Sequence, residues 1–194
     1  HSIHPNRSLM LQHLFWHNRA FMFLTLSVGF GAMYALNNVL TAPLLVAPGA
    51  HLVHLPSGFK FLLVLVFGVI GALSVFTVSL VAALGFYFSG NWPLSLELAA
   101  VNASAPLMTR KFFMDNWSLH SNLTNLNWKM LCAMGLVFSV LNSSLNQLVL
   151  YWNQHISNML DGLQIMLIGD ITGVFLVLGF IRMVLHFLKP KTAP

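Results

Sequence analysis

Long apolar runs, almost free of charge inside, constrain this chain more than any other feature. From Ala20 to Leu45 there is no Asp, Glu, Lys or Arg, and from Asn127 to Trp152 the one charged residue is Lys129. About 20 apolar residues in a helix cross the hydrocarbon of a bilayer, and a helix satisfies its own backbone hydrogen bonds where no water is available. Only 7% of the residues are charged against 57% hydrophobic, whereas a soluble domain carries roughly 25% charged residues. A chain this poor in charge cannot cover itself with a water-facing surface, so its solvent is the lipid bilayer. The expected fold class is therefore all-α: a polytopic transmembrane helical bundle of about six spans, one of them short.

The segments read as follows: Ala20 to Leu45; a short one from Ser57 to Phe67; Val69 to Phe88; Pro93 to Met108; Asn127 to Trp152; and Asp161 to Leu188. Gly68 and Gly71 separate the second from the third, which also reads as one bent element. This divides the chain into an interfacial segment (1–18), a transmembrane domain (19–188) and a basic tail (189–194). The first of these, with Leu, Met, Phe and Trp mixed with His and Arg7, suits either an amphipathic interfacial helix or a polar tail.

The net charge of +5 is uneven in position, and on a membrane protein basic residues report orientation before they report nucleic acid. Arg7 and Arg19 precede the first segment, Arg110 and Lys111 follow the fourth, and Lys189 and Lys191 follow the last. Six crossings place these groups on one side, which predicts both termini cytoplasmic. Lys60 is the mild exception, expected near the far side. Trp16, Trp92, Trp128, Tyr151 and Trp152 fall at segment ends, as an interfacial aromatic belt does.

Asp170 is the leading candidate for function. At ~1.5 Å per residue it lies ~13 Å inside the last segment, where an acid is costly unless paired, hydrated or protonated. It reads either as the polar anchor of a binding cavity or as a hydrogen-bonded knot between helices. Glu97 and Lys60, both near outer ends, are expected to pair across one layer. Asn102, Asn142 and Asn146 belong to polar stretches inside the fourth and fifth segments, and the last two share a helix face at i, i+4. Such a stripe must face other helices or water, which suits a small polar ligand or plain helix–helix hydrogen bonding.

Other chemistry finds little support. The single cysteine, Cys132, excludes an internal disulfide and a multi-cysteine metal site. Of the nine histidines, the pairs His13/His17 and His51/His54 fall outside the spans, so no metal site is expected, and no cofactor is identified. Phosphate loops, nucleophile elbows and paired carboxylates on one helix face are absent, so no catalytic residue is expected. The chain opens at His1 and shows no secretory signal pattern.

Several landmarks occur in a familiar order. Leu55-Pro56-Ser57-Gly58 opens the second segment, Gly68 and Gly71-Ala72 follow, Ala105-Pro106-Leu107 closes the fourth with Arg110 after it, and Ile168-Gly169-Asp170-Ile171-Thr172-Gly173-Val174 lies in the last. From about Asn37 to Leu188 the chain resembles the integral membrane sensor domain at the N-terminus of many bacterial histidine kinases and diguanylate cyclases, the membrane-associated sensor family of the first type. The resemblance implies a stand-alone or truncated, non-enzymatic sensor bundle of the bacterial inner membrane and draws attention to Pro56, Gly58, Gly169, Asp170 and Gly173. It departs from the family in having fewer spans, Leu55 where an aromatic is common, and no kinase or cyclase domain after Leu188. The sensor would act through a partner membrane protein or a small polar ligand. Two alternatives share the same features: the substrate-binding subunit of a vitamin-type uptake transporter, and a structural accessory subunit of a larger membrane complex.

Overall fold

The computed structural model describes residues 18–41, 43, 45–47 and 50–188. The expectations for the interfacial segment, the His13/His17 pair and the basic tail lie outside the described residues. The architecture is a helical bundle. Helix α1 spans Arg19–Leu40 and is capped by the Asn18 side chain, which accepts from the Phe21 N–H at 3.2 Å. It stops at Leu40, short of the expected Leu45. There the Thr41 hydroxyl and N–H both donate to the Asn37 carbonyl, at 2.7 and 2.8 Å, and Pro43, which has no N–H, follows. A small antiparallel ribbon comes next, β1 (Leu45–Ala47) and β2 (Ala50–His51), with Leu45 opposite His51.

Helix α2 (Leu55–Phe67) begins with Pro56 in its first turn, where a missing N–H costs nothing. The chain reverses at Gly68, whose φ of 57° and ψ of −126° are open to glycine alone. Helix α3 (Val69–Ala82) then runs back along α2, so closely that a Cβ at Gly71 would overlap the Leu63 carbonyl. Segments two and three are thus two helices and not one bent element. A π-helical turn, Ala83–Tyr87, ends α3.

Helix α4 (Trp92–Asn116) runs through Pro106 and passes the expected end at Met108. Arg110 and Lys111 marked the edge of the apolar layer, but helical hydrogen bonding does not stop there, and the exposed last turns carry a Lys111–Asp115 pair at 3.0 Å. Helices α5 (Trp128–Trp152) and α6 (Met159–Leu188) complete the bundle.

α2 is the central element. Eight of its 13 residues are buried, because it is surrounded by the other helices. Phe61 and Leu65 join Phe138, Met134, Val174 and Leu178 in one apolar cluster, while Leu63 and Val64 join Phe30, Ala72 and Val75 in a second. At ~1.5 Å per residue α2 is ~20 Å long, less than the ~30 Å of hydrocarbon. Four helical stretches are long and apolar enough to cross a membrane: Arg19–Leu40, Val69–Tyr87, Trp128–Trp152 and Gly162–Leu188. α4 has the length, but carries Glu97, Arg110, Lys111 and Asp115. Val28, Val39, Leu73, Val81, Phe180 and Phe187 point outward from the bundle, as lipid-facing side chains do.

The two ends of the bundle differ. At one, Arg110 donates to the Ser121 carbonyl at 2.9 Å and the Arg182 guanidinium lies 5.0 Å from the centre of the Trp128 ring. At the other, Tyr87 donates to Asn38 at 3.3 Å and Asn91 meets His155 at 3.1 Å. Arg19, Arg110, Lys111, Lys129 and Arg182 all belong to the first end.

The start of α2 lies inside the bundle, so its backbone needs protein partners. The Asn37 side chain of α1 accepts from the Leu55 N–H at 2.9 Å, and the Gly169 carbonyl of α6 accepts from the His54 N–H at 3.1 Å. Asn37→Ala removes a cap supplied from another helix. It is expected to lower stability by about 1 kcal/mol, measured by reversible unfolding in mixed micelles.

Candidate functional site

The inner start of α2 meets α5 and α6 at Asp170, which is 2% exposed. Burying a carboxylate requires several donors, and the fold supplies them from α2 and α5. The Ser57 hydroxyl of α2 donates to Oδ1. From α5, Asn142 Nδ2 and the Ser143 hydroxyl donate to Oδ2 at 2.6 and 2.8 Å. His54 Nδ1 lies 3.5 Å from Oδ1 and 2.8 Å from the Ser57 oxygen. Because the serine has one proton and gives it to Asp170, the assignment that satisfies both bonds places a proton on His54 Nδ1. The positive end of the α2 dipole faces the same carboxylate.

Lys60 stands one turn further along α2 and is 1% exposed. Its ammonium donates to the side-chain amide oxygen of Asn102 on α4 and to that of Asn142 at 2.9 Å, and lies 5.7 Å from the Phe138 ring centre. Asn142 therefore links a buried cation to a buried anion, its amide oxygen on Lys60 and its amide nitrogen on Asp170. A side-chain amide is the group for this place, since it accepts at one atom and donates at another. Asn146, one turn beyond, donates to the Asn142 backbone carbonyl at 2.8 Å, so the shared face read from the spacing is one continuous polar strip.

The glycines of the two motifs explain how α2 and α6 come this close. A Cβ on Gly58 would lie 2.8 Å from Val177 Cβ and 2.9 Å from Val174 Cα, and one on Gly173 would overlap the His54 carbonyl. Pro56, Gly58, Gly169, Asp170 and Gly173 thus meet at a single crossing, where small residues let the backbones approach.

Lys60 and Asp170 form the floor of a cavity of about 560 Å³, within the range of small-molecule sites. Apolar Ala82, Ala83, Leu98, Leu150 and Ile165 line its walls. Ser89, Asn91 and His155 line its mouth, at the end of the bundle away from the basic residues. The π-helical turn forms part of the wall, a place where such turns are frequent. Gln147 also borders the cavity and is buried; its amide nitrogen donates to Met166 Sδ at 2.7 Å, and its Oε1 has no donor among the described residues.

Of the residues singled out from sequence, Asp170, Asn142, Asn146, Asn102 and Lys60 come together here. Glu97 does not. It is exposed at the mouth end of α4 and accepts from Asn153 at 2.6 Å, so the expected Glu97–Lys60 pair is corrected. α2 starts within the bundle, which carries Lys60 into the interior, while Glu97 stays among polar loop residues. His54 was missed as a site residue. His54 holds the cap position of α2, two residues before Pro56, but nothing in the sequence says that this helix starts beside a buried acid. Gln147 belonged to the polar stretch of the fifth segment, whereas Tyr34, which also lines the cavity, had no signal beyond its type. Among the described residues no cluster of His, Cys, Asp and Glu could hold a metal ion.

With the four membrane-length helices and a polar-floored cavity, the chain belongs to the class of helical membrane proteins. Compared with family models, curated proteins and solved structures, it matches none.

Proposed function

We propose that this chain is a non-enzymatic, multi-pass sensor-type bundle of the bacterial inner membrane that binds a small ligand in the cavity above Lys60 and Asp170. It passes occupancy to a partner membrane protein through helix packing. The observation that carries this reading is the cavity, with a charged and amide-rich floor and an accessible mouth. Both termini are cytoplasmic in this proposal. The support is the gathering of basic residues at the closed end, which turns the mouth outward. A ligand on Lys60 and Asp170 touches α2 and α6, the two helices that cross at Gly58 and Gly173 and whose packing it would alter.

An outward mouth equally suits the second reading, the substrate-binding subunit of a vitamin-type uptake transporter. The structural accessory reading is weaker, since a subunit that only packs has no need of a polar cavity. Gentle detergent extraction from native membranes, followed by mass spectrometry of everything that copurifies, tests all three. A retained small molecule, with or without a signalling or transport protein, supports the proposal. A copurifying ATPase module moves the assignment to transport. A stoichiometric protein partner with an empty cavity overturns ligand binding in favour of the accessory role.

A further inference from the structure

We infer that the ligand of this cavity is a small, mostly apolar carboxylate that also carries a hydrogen-bond donor, with its carboxylate on Lys60. This rests on the reading of the cavity as a ligand site and specifies the chemistry it selects. Two charges share the floor, and their states of satisfaction differ. Asp170 has donors on both oxygens: Ser57 on one, Asn142 and Ser143 on the other, with His54 close by. A carboxylate so enclosed has little left to offer a ligand cation. The Lys60 ammonium has three N–H groups and two protein acceptors among the described residues, Asn102 and Asn142. Both acceptors are neutral amides, and the counter-charge Asp170 is reached only through Asn142, so no anionic oxygen bonds the ammonium directly among the described residues. The remaining N–H is best used by an anionic oxygen, since charge-assisted hydrogen bonds are the stronger kind.

The remaining features set the rest of the molecule. Ala82, Ala83, Leu98, Leu150 and Ile165 in the walls favour a ligand with an apolar body. The buried Gln147 Oε1 supplies an acceptor that lacks a donor, and a buried acceptor favours a ligand that satisfies it. The geometry therefore selects a cationic floor contact, an apolar body and one donor on that body.

The test uses the full chain in detergent, with indole-3-acetate as probe and isothermal titration calorimetry as readout. Indole-3-acetamide and tryptamine replace the carboxylate by a neutral amide and a cation. 1-Methylindole-3-acetate removes the ring donor. The carboxylate is expected to bind at least about tenfold more tightly than the amide or the amine, and the methylated probe more weakly than its parent. In Lys60→Met the carboxylate's advantage over the amide is lost, whereas Lys60→Arg keeps most of it. The comparison among probes on the unaltered protein needs no variant to fold. Equal affinity for acid, amide and amine overturns the carboxylate assignment and leaves the cavity a ligand site. Tighter binding of tryptamine, lost in Asp170→Asn, does the same and moves recognition to the acid. No binding of any probe overturns both this inference and the ligand-site reading.

Discussion

Replacing Asp170 by Ala is expected to destabilise the protein by roughly 3–5 kcal/mol, the range for breaking a buried charge network by removing one partner. The substitution orphans the Ser57 hydroxyl, the Asn142 amide and the Ser143 hydroxyl together. It also leaves Lys60 as a buried cation whose counter-charge, reached through Asn142, is gone. The start of α2 then faces an apolar gap where a carboxylate met its dipole. The double variant Lys60→Met, Asp170→Leu removes both charges and is expected to recover part of the loss, because apolar pairs of similar volume often replace buried ion pairs without cost. Reversible unfolding of both variants in mixed micelles measures the difference. If the double variant is no more stable than Asp170→Ala, the cation and the acid are not energetically linked through Asn142.

The second large effect belongs to Gly173→Ala. One added methyl would overlap the His54 carbonyl oxygen, which is backbone and cannot rotate aside, and would also crowd the Leu55 nitrogen at 3.1 Å. Relief requires α2 and α6 to separate. That weakens the His54 N–H bond to Gly169 and pulls Ser57 away from Asp170. Overpacking of this kind costs about 1–3 kcal/mol, and the loss of the attached hydrogen bonds adds to it. The expected observation is faster proteolysis at the ribbon before α2, together with lower thermal stability. Gly179→Ala on the same helix is the control, since nothing lies within 4 Å of a Cβ there, and it is expected to behave like the unaltered protein. Equal behaviour of the two variants would show that α2 and α6 do not meet at Gly173.

Much of this molecule was legible without coordinates because lipid imposes a simple rule. Backbone groups must be satisfied locally, so long apolar runs become helices. The six helical segments follow from that rule, and the placement of Lys and Arg in alternate connections put the basic residues at one end. The depth of Asp170 marked it as costly, and the i, i+4 spacing of Asn142 and Asn146 placed them on one face. The ends of elements were less legible. α1 stops early because of a side-chain bond from Thr41, and α4 continues past its basic residues because nothing at the edge of the apolar layer breaks a helix.

Partnerships between helices depended on packing alone. Lys60 and Glu97 looked alike as lone charges near segment ends, yet one lies on the cavity floor and the other is exposed on α4, bonded to Asn153 outside the cavity. The difference arises because α2 is short and begins inside the bundle, a starting depth that hydropathy cannot report. The roles of His54, Ser57 and Gln147 follow from the same fact, since each contacts a residue more than a turn away or on another helix. Apolar length and charge placement therefore determined the class of fold and its acid. The crossing of α2 with α6, held by two glycines and a capped carboxylate, decided that these polar residues form one site, because long-range contacts are set by which backbones can touch.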